Sequence, residues 1–287
     1  MGHEARLALK RGIESGEGLF APLCLDALTA RLCEEIGFGC GYLSGGALGF
    51  SSGVSEALLT LTELAERTAA ITRRSALPLI ADGGVGFGDP VHTMRAVWDF
   101  EAAGAAAIEI EDQVAPKRVS HHRGIEHLVP AEEMAEKVRA AVQARKDPDF
   151  LIIARTSALR LESFDAAIAR LTAYAEAGAD LLLSGLLEGD ELVRAPQLLP
   201  RPLIAMAPLD LRPREEWSRL GYPLVVDPYT GQSVAFDAMR SAFRAQHAGG
   251  SGPDEATRVK ALYAELAPAA GLEELYEVER RTTEPGS

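Results

Sequence analysis

Two carboxylates, Asp82 and Glu111, are the residues around which a chemistry can be built. Each ends a short apolar run, over residues 77–81 and 106–110. If those runs are neighbouring parallel strands, both side chains face one spot. Hard carboxylate oxygens so placed suit Mg2+ (or Mn2+) held largely through water; solvated strand-end acids are the plainer alternative. Residues 112–128 follow, a long polar segment that holds Lys117, Arg118, His121, His122, Arg123 and His127, three of the six histidines. Long loops in compact barrels are often lids. A cationic lid over a carboxylate floor suits a small anionic substrate; a solvated charged loop is the alternative. The glycine run at 83–88 lacks the Lys-Ser/Thr of a phosphate-binding loop and the spacing of a dinucleotide fingerprint, so it reads as a tight turn. His92 and His247 fall in helical patterns, and Cys24 and Cys33 read as core fillers.

Positioning such residues requires a scaffold, and the chain spells one out. Eight short apolar runs lie at residues 19–24, 40–43, 77–81, 106–110, 150–154, 179–183, 202–205 and 223–226. Most are continuous, as in parallel strands buried on both faces. Helical patterns separate them, at 26–36, 61–73, 90–103, 130–145, 163–177, 188–198, 213–220 and 232–248. Thr60 or Thr62 is placed to cap the second of these, Pro90 stands near the first turn of the third, and Ser163 caps the fifth. Eight strand–helix alternations predict an α/β fold, a (β/α)8 TIM-like barrel, over an open doubly wound sheet. Catalytic residues then lie at the strand C-termini and in the loops that follow. The GGSG stretch at 249–252 breaks the pattern. It divides a barrel domain, 1–248, from a C-terminal helical extension, 249–287, with two more helical segments at 253–266 and 272–281.

The 287 residues match the ~250 of a typical barrel. A net charge of −13 argues against nucleic acid and anionic membranes as partners, while leaving room for a local basic pocket that holds an anionic substrate. No run approaches the ~20 apolar residues of a membrane span. The polar first twelve residues do not read as a secretory signal, and three cysteines without metal-ligand spacing fit a reducing cytoplasm.

In order along the chain stand YLSGG (42–46), LTLTE (59–63), PLIADGGVGFG (78–88), FEAAGAAAIEIEDQ (100–113), PKR..H (116–121), DPDFLIIART (147–156) and AYAEAGAD (173–180). Together these blocks resemble the isocitrate lyase and phosphoenolpyruvate mutase superfamily, most closely its short-chain lyases, decarboxylases and mutases. The match runs from about residue 19 to 185 and weakly to the tail. The resemblance implies a barrel, a Mg2+ ion, and a 2-oxo or 2-hydroxy acid substrate that passes through an enolpyruvate-like intermediate. It further implies last helices exchanged between subunits in a homotetramer, a dimer of dimers. It makes Asp82 the direct metal ligand and Glu111 a ligand through water. Ser44, Gly45 and Gly46 become backbone donors to the substrate carboxylate, with Tyr42 beside them and Arg155 holding the same group. Lys117, Arg118, His121 and Tyr229 take the catalytic places, with His121, Tyr229 or water protonating an enolate.

Several positions depart from the superfamily pattern. Gly84 stands where a second strand-three Asp is usual. Val119 replaces the lid cysteine that exchanges a proton in the C–C lyases. Ser157, Gly185, Leu25 and Ala205 replace an Asp, a Glu, an aromatic and an Asn. Ser55 stands in the acidic position before LTLTE, with Glu56 beside it. These changes predict weakened metal binding and an atypical C–C lyase or decarboxylase on a 2-oxo or 2-hydroxy di- or tricarboxylate. The alternatives are P–C bond chemistry on a phosphonopyruvate-like acid, or a relative that has lost the metal and binds a metabolite.

Overall fold

A computed structural model describes residues 2–185, 187–250 and 252–284. Eight parallel strands are present: β1 (Leu19–Ala21), β2 (Gly41–Leu43), β3 (Leu79–Asp82), β4 (Ala107–Glu111), β5 (Leu151–Thr156), β6 (Leu181–Ser184), β7 (Leu203–Met206) and β8 (Leu224–Val226). From β2 to β8 each strand pairs with its sequence neighbour, and β8 returns to β1. The β1–β2 seam is the loosest: the run expected at 19–24 stops at Ala21, because Pro22 has no N–H to give to a ladder. The chain then resumes contact through a bridge from Leu23 to Tyr42, with Cys24 N donating to Tyr42 O. The result is the nearly closed (β/α)8 barrel that the alternation foretold.

Side chains alternate across each strand. Ala107 of β4 joins Tyr42, Ile80, Leu151, Ile153, Leu181 and Leu183 in the barrel interior, whereas Ile108 and Ile110 join the core between strands and helices. The same alternation turns Glu109 and Glu111 inward. In register, Asp82 lies beside Glu109 and Glu111 beside Arg155. Four ionisable groups therefore cap one apolar plug at the strand C-termini.

The expected helices form within a few residues of their bounds. Asp26 and Thr60 each close a capping box, with Thr29 and Glu63 respectively. Three helices were not legible in the sequence. Gly2–Glu14 lies in the polar N-terminal stretch; its Leu9 joins the interior cluster, and buried Arg6 donates to the Ala105 and Glu101 carbonyls and pairs with Asp147. Gly45–Ser51 and Ala158–Leu161 are short turns directly after β2 and β5. The last helix of the barrel repeat, Thr230–His247, buries none of its residues, and neither do Pro253–Ala269 and Glu273–Thr282 of the extension. The extension meets its own barrel where Arg31 Nε donates to Ala269 O at 2.8 Å.

Candidate active site

Asp82 is buried and held on both sides. Its Oδ2 accepts from the Gly45 amide at 2.9 Å and its Oδ1 from the Gly84 amide at 2.8 Å. The Gly84 carbonyl accepts in turn from Glu111 N, which ties the ends of β3 and β4 together. Burial and the neighbouring charges of Glu109, Glu56 and Glu111 push the Asp82 carboxyl up to about 7.

Glu109 accepts from the Tyr42 hydroxyl at 2.8 Å and from Arg155 Nη1 at 2.9 Å. Glu111 accepts from Gln113 Nε2 and faces Lys117 Nζ through its other oxygen, which takes no well-aligned hydrogen bond. Burial opposes ionisation of Glu111, but Lys117 and Arg155 outweigh it and hold the carboxyl below its ordinary value. Lys117 also pairs with Glu56. Burial works against its ammonium, yet Glu111, Glu56 and Asp82 raise its affinity for the proton.

His121 brings the lid down onto this network. Its Nε2 lies 2.8 Å from Glu56 Oε1 and its Nδ1 2.7 Å from the Arg118 carbonyl. His122 stacks on His121 at 3.9 Å, lies 5.1 Å from the Phe50 ring, and meets Ser55 Oγ. A bridge between Gln113 and Leu128 closes the stem of the lid.

The structure thus joins Tyr42, Gly45, Asp82, Glu111, Arg155, Lys117 and His121 in one network at the strand C-termini, and Gly45, Asp82 and Lys117 of these line its cavity. Others among the expected residues lie apart. Arg118 is exposed and folds its guanidinium onto the Pro116 carbonyl, because the turn that brings Lys117 inward points its successor outward. Val119, in the lid-cysteine position, is half exposed on the same outer side. Tyr229 is half exposed at the head of Thr230–His247. Ser44 caps Gly45–Ser51 through its hydroxyl, so it and Gly45 serve the scaffold of Asp82. Gly46 stands one residue on, its missing Cβ facing Glu56. A Cβ placed at Gly84 or Gly185 meets nothing within 4 Å, so both substitutions leave open space.

Two site residues were missed. Glu109 announces itself only through the period of two in Glu-Ile-Glu, which puts both acids on one face. Glu56 sits one residue from the acidic position read in the sequence, and the Glu56–Leu58 turn delivers it to Lys117. Burial opposes its charge, but the His121 contact and Lys117 hold its carboxyl well below the usual range.

A buried network of carboxylates and cations at the C-terminal mouth of a parallel barrel defines an enzyme site of the TIM-barrel class. Residues 9–247 match the family model described as phosphoenolpyruvate phosphomutase. The chain is 36% identical over 270 residues to the 2,3-dimethylmalate lyase of Eubacterium barkeri, covering 90% of this chain and 91% of the relative. It is 35% identical to the oxaloacetate decarboxylase of Chromohalobacter salexigens, covering 85% and 86%. A crystal structure of phosphonopyruvate hydrolase with oxalate and Mg2+ superposes with a TM-score of 0.85 at 32% identity, covering 97% of this chain and 99% of that one. The chain belongs to the phosphoenolpyruvate phosphomutase family and is an enzyme of the isocitrate lyase/PEP mutase superfamily.

Proposed function

We propose that this enzyme cleaves a C–C bond, as lyase or decarboxylase, in a small 2-oxo or 2-hydroxy carboxylate with help from a divalent cation. One observation carries the reading: Asp82 and Lys117 line one cavity, and behind them Glu111 pairs with both Lys117 and Arg155, under a lid that is itself cationic. The relatives named above act on acids of this kind by name.

The residues fit a hard divalent ion. Carboxylate crowding leaves Asp82 short of positive charge, and one buried Glu111 oxygen lacks a well-aligned donor. Among the described residues these acids do not converge into a set of three ligands within mutual reach. The one set that does, His3, Asp147 and Asp149, is already paired with Arg6 and Lys10. Asp82 as direct ligand, with Glu111 and Glu56 acting through water, matches the habit of Mg2+. Such an ion supplies Lewis-acid polarisation of the substrate oxygens.

The chain's own groups do the rest. Arg155, set in place by Glu109, holds a substrate carboxylate in bidentate fashion. Lys117 and His121 bring positive charge to the side where negative charge grows as the bond breaks. His121, held beside Glu56 by the lid, is placed to pass a proton to an enolate. The lid keeps water from the carbanionic product.

The test is a panel of 2-oxo and 2-hydroxy di- and tricarboxylates incubated with and without Mg2+ and read by release of a 2-oxo acid, with Asp82→Asn as control. Turnover of a carboxylate that Mg2+ removal or Asp82→Asn abolishes supports the reading; no turnover of any carboxylate rejects it. P–C chemistry is a second reading, favoured by the likeness to phosphonopyruvate hydrolase and by the outward Val119 in place of a lid cysteine. Phosphonopyruvate in the same panel separates the two.

The division at residue 249 and the oligomer belong to the same proposal. Val234, Phe236, Met239 and Phe243 lie exposed along Thr230–His247, and a groove of about 1120 Å3 runs between that helix and Ala27–Ile36. Helices from a second copy suit that groove, with 249–287 acting as the exchanged arm. Among the described residues no helix is long and apolar enough to cross a membrane.

A further inference from the structure

The cleft is polar only in part. The same cavity of about 270 Å3 that Glu56, Asp82 and Lys117 line is also lined by Leu59, Leu64, Val85 and Phe87. Leu59, Leu64 and Val85 are almost fully buried. A hydrated cation and a two-carbon acid have no use for such a wall, and water against it finds few partners. Gly84 lines the same cavity, with free space where its Cβ would be.

The wall is held at a cost that invites a function. Phe87 adopts φ +60°, a left-handed conformation that is an outlier for a bulky residue. Such strain persists only when the surroundings over-determine it, and it gathers at ligand-binding positions. Here the loop at 83–88 is pinned at its middle, at Val85 and Gly86. Lys137, buried within Ala131–Ala144, donates its ammonium to the Val85 carbonyl at 3.2 Å. A Cβ at Gly86 would meet Thr93 Oγ1 at 2.5 Å, so the backbone is packed tightly there. Spending a buried lysine on a loop carbonyl fixes the position of Val85 and, through it, of Phe87.

We infer that this wall is a side-arm pocket. The substrate carries an apolar substituent of several carbons on its 2-oxo or 2-hydroxy acid head, and Phe87 with Leu64 grips it. Phe87 is a specificity-determining residue and Lys137 a positioning one. The inference rests on the function proposed above and adds the chemical class of the substrate's remaining part.

Calorimetric titration in Mg2+ with oxalate, pyruvate, 2-oxobutanoate, 2-oxopentanoate and 2-oxohexanoate tests it without requiring turnover. Affinity is expected to rise about fourfold per methylene, roughly sixtyfold from pyruvate to 2-oxohexanoate. In Phe87→Ala that ratio should fall below about tenfold, and in Ala57→Leu, which narrows the cavity, the best-bound acid should become shorter. Because the readout is a ratio within one protein, partial loss of folded material does not disturb it. Binding of oxalate and pyruvate with a flat or falling chain-length profile overturns the side-arm pocket and leaves the proposed function standing. A rising profile unchanged in both variants also overturns it, since the arm then lies elsewhere. Binding of none of the acids, oxalate included, removes the underlying reading and this inference with it.

Discussion

Glu109 stands between Tyr42 and Arg155, taking the phenolic hydrogen on one oxygen and the guanidinium on the other, at 2.8 and 2.9 Å. The Arg155 guanidinium is therefore held in one orientation between Glu109 and Glu111. Glu109→Gln keeps the shape and the acceptor for Tyr42 but removes the charge that holds Arg155. Loss of one partner of a buried pair costs about 3 kcal/mol, so the melting temperature should fall. Misplacement of the guanidinium should lower kcat/KM by on the order of 100-fold, chiefly through KM for the carboxylate. A variant with a lower melting temperature but unaltered KM would show that Glu109 serves stability alone.

The carboxyl of Asp82 gives the metal a pH dependence with a definite sign. Its folded value, about 7, stands above the ordinary 3.8. An acid shifted this way costs stability as pH rises from about 4 through 7, because the charged form is the disfavoured one in the fold. A divalent ion reverses that cost and competes with the proton. Mg2+ should thus raise the melting temperature more at pH 8 than at pH 6. Asp82→Asn, which has no charge to offer, should lose the metal response. Equal Mg2+ stabilisation at both pH values would contradict the assignment of Asp82 as ligand.

Gly84 has φ +53° and open space where its Cβ would be. Asp is among the few residues that tolerate this conformation. Gly84→Asp adds a carboxylate beside Asp82 and should tighten Mn2+ binding roughly tenfold, read by calorimetry. An unchanged affinity in a folded variant would mean that the open space beside Asp82 is not part of the cation's surroundings.

The sequence and the structure disagree most instructively in the lid. Charge and motif picked out Lys117, Arg118 and His121 together, but only Lys117 and His121 turn in to Glu56, while Arg118 folds back on the Pro116 carbonyl. Lys117→Ala leaves Glu56 and Glu111 without their shared cation and should cost on the order of 100-fold in kcat/KM. Arg118→Ala, on an exposed side chain, should change it about fivefold or less. The reverse ranking would show that the lid rearranges when substrate binds.

What was legible followed from periodicity. Continuous apolar runs fixed the eight strands, and their ends located Asp82, Glu111 and Arg155. What was not legible depended on contacts far apart in the chain. Arg6 and Leu9 sit in a polar stretch with no core signature until Asp147 and the barrel interior meet them. Gly45–Ser51 is too short and too rich in glycine to show a helical stripe. Glu56 gains its role only because Lys117, 61 residues away, folds back over it.

The exposed face of Thr230–His247 leads to the last prediction. Four large apolar side chains, Val234, Phe236, Met239 and Phe243, lie along one helix that buries nothing in its own chain. Leu262, Tyr263, Leu266, Leu275 and Tyr276 of the following helices are exposed too. So large an unpartnered apolar surface marks an interaction site, and residues 249–287 are long enough to reach a neighbouring barrel. Sedimentation at micromolar concentration should give a mass of at least two chains. Removal of 249–287, or the pair Phe236→Asp and Phe243→Asp, should yield a smaller species, since a charge buried at such an interface has no partner. An unmodified chain that sediments as a monomer would reject the exchanged arm. So would charged variants that keep the parent's mass, because the face that they interrupt would then not be the one that holds the copies together.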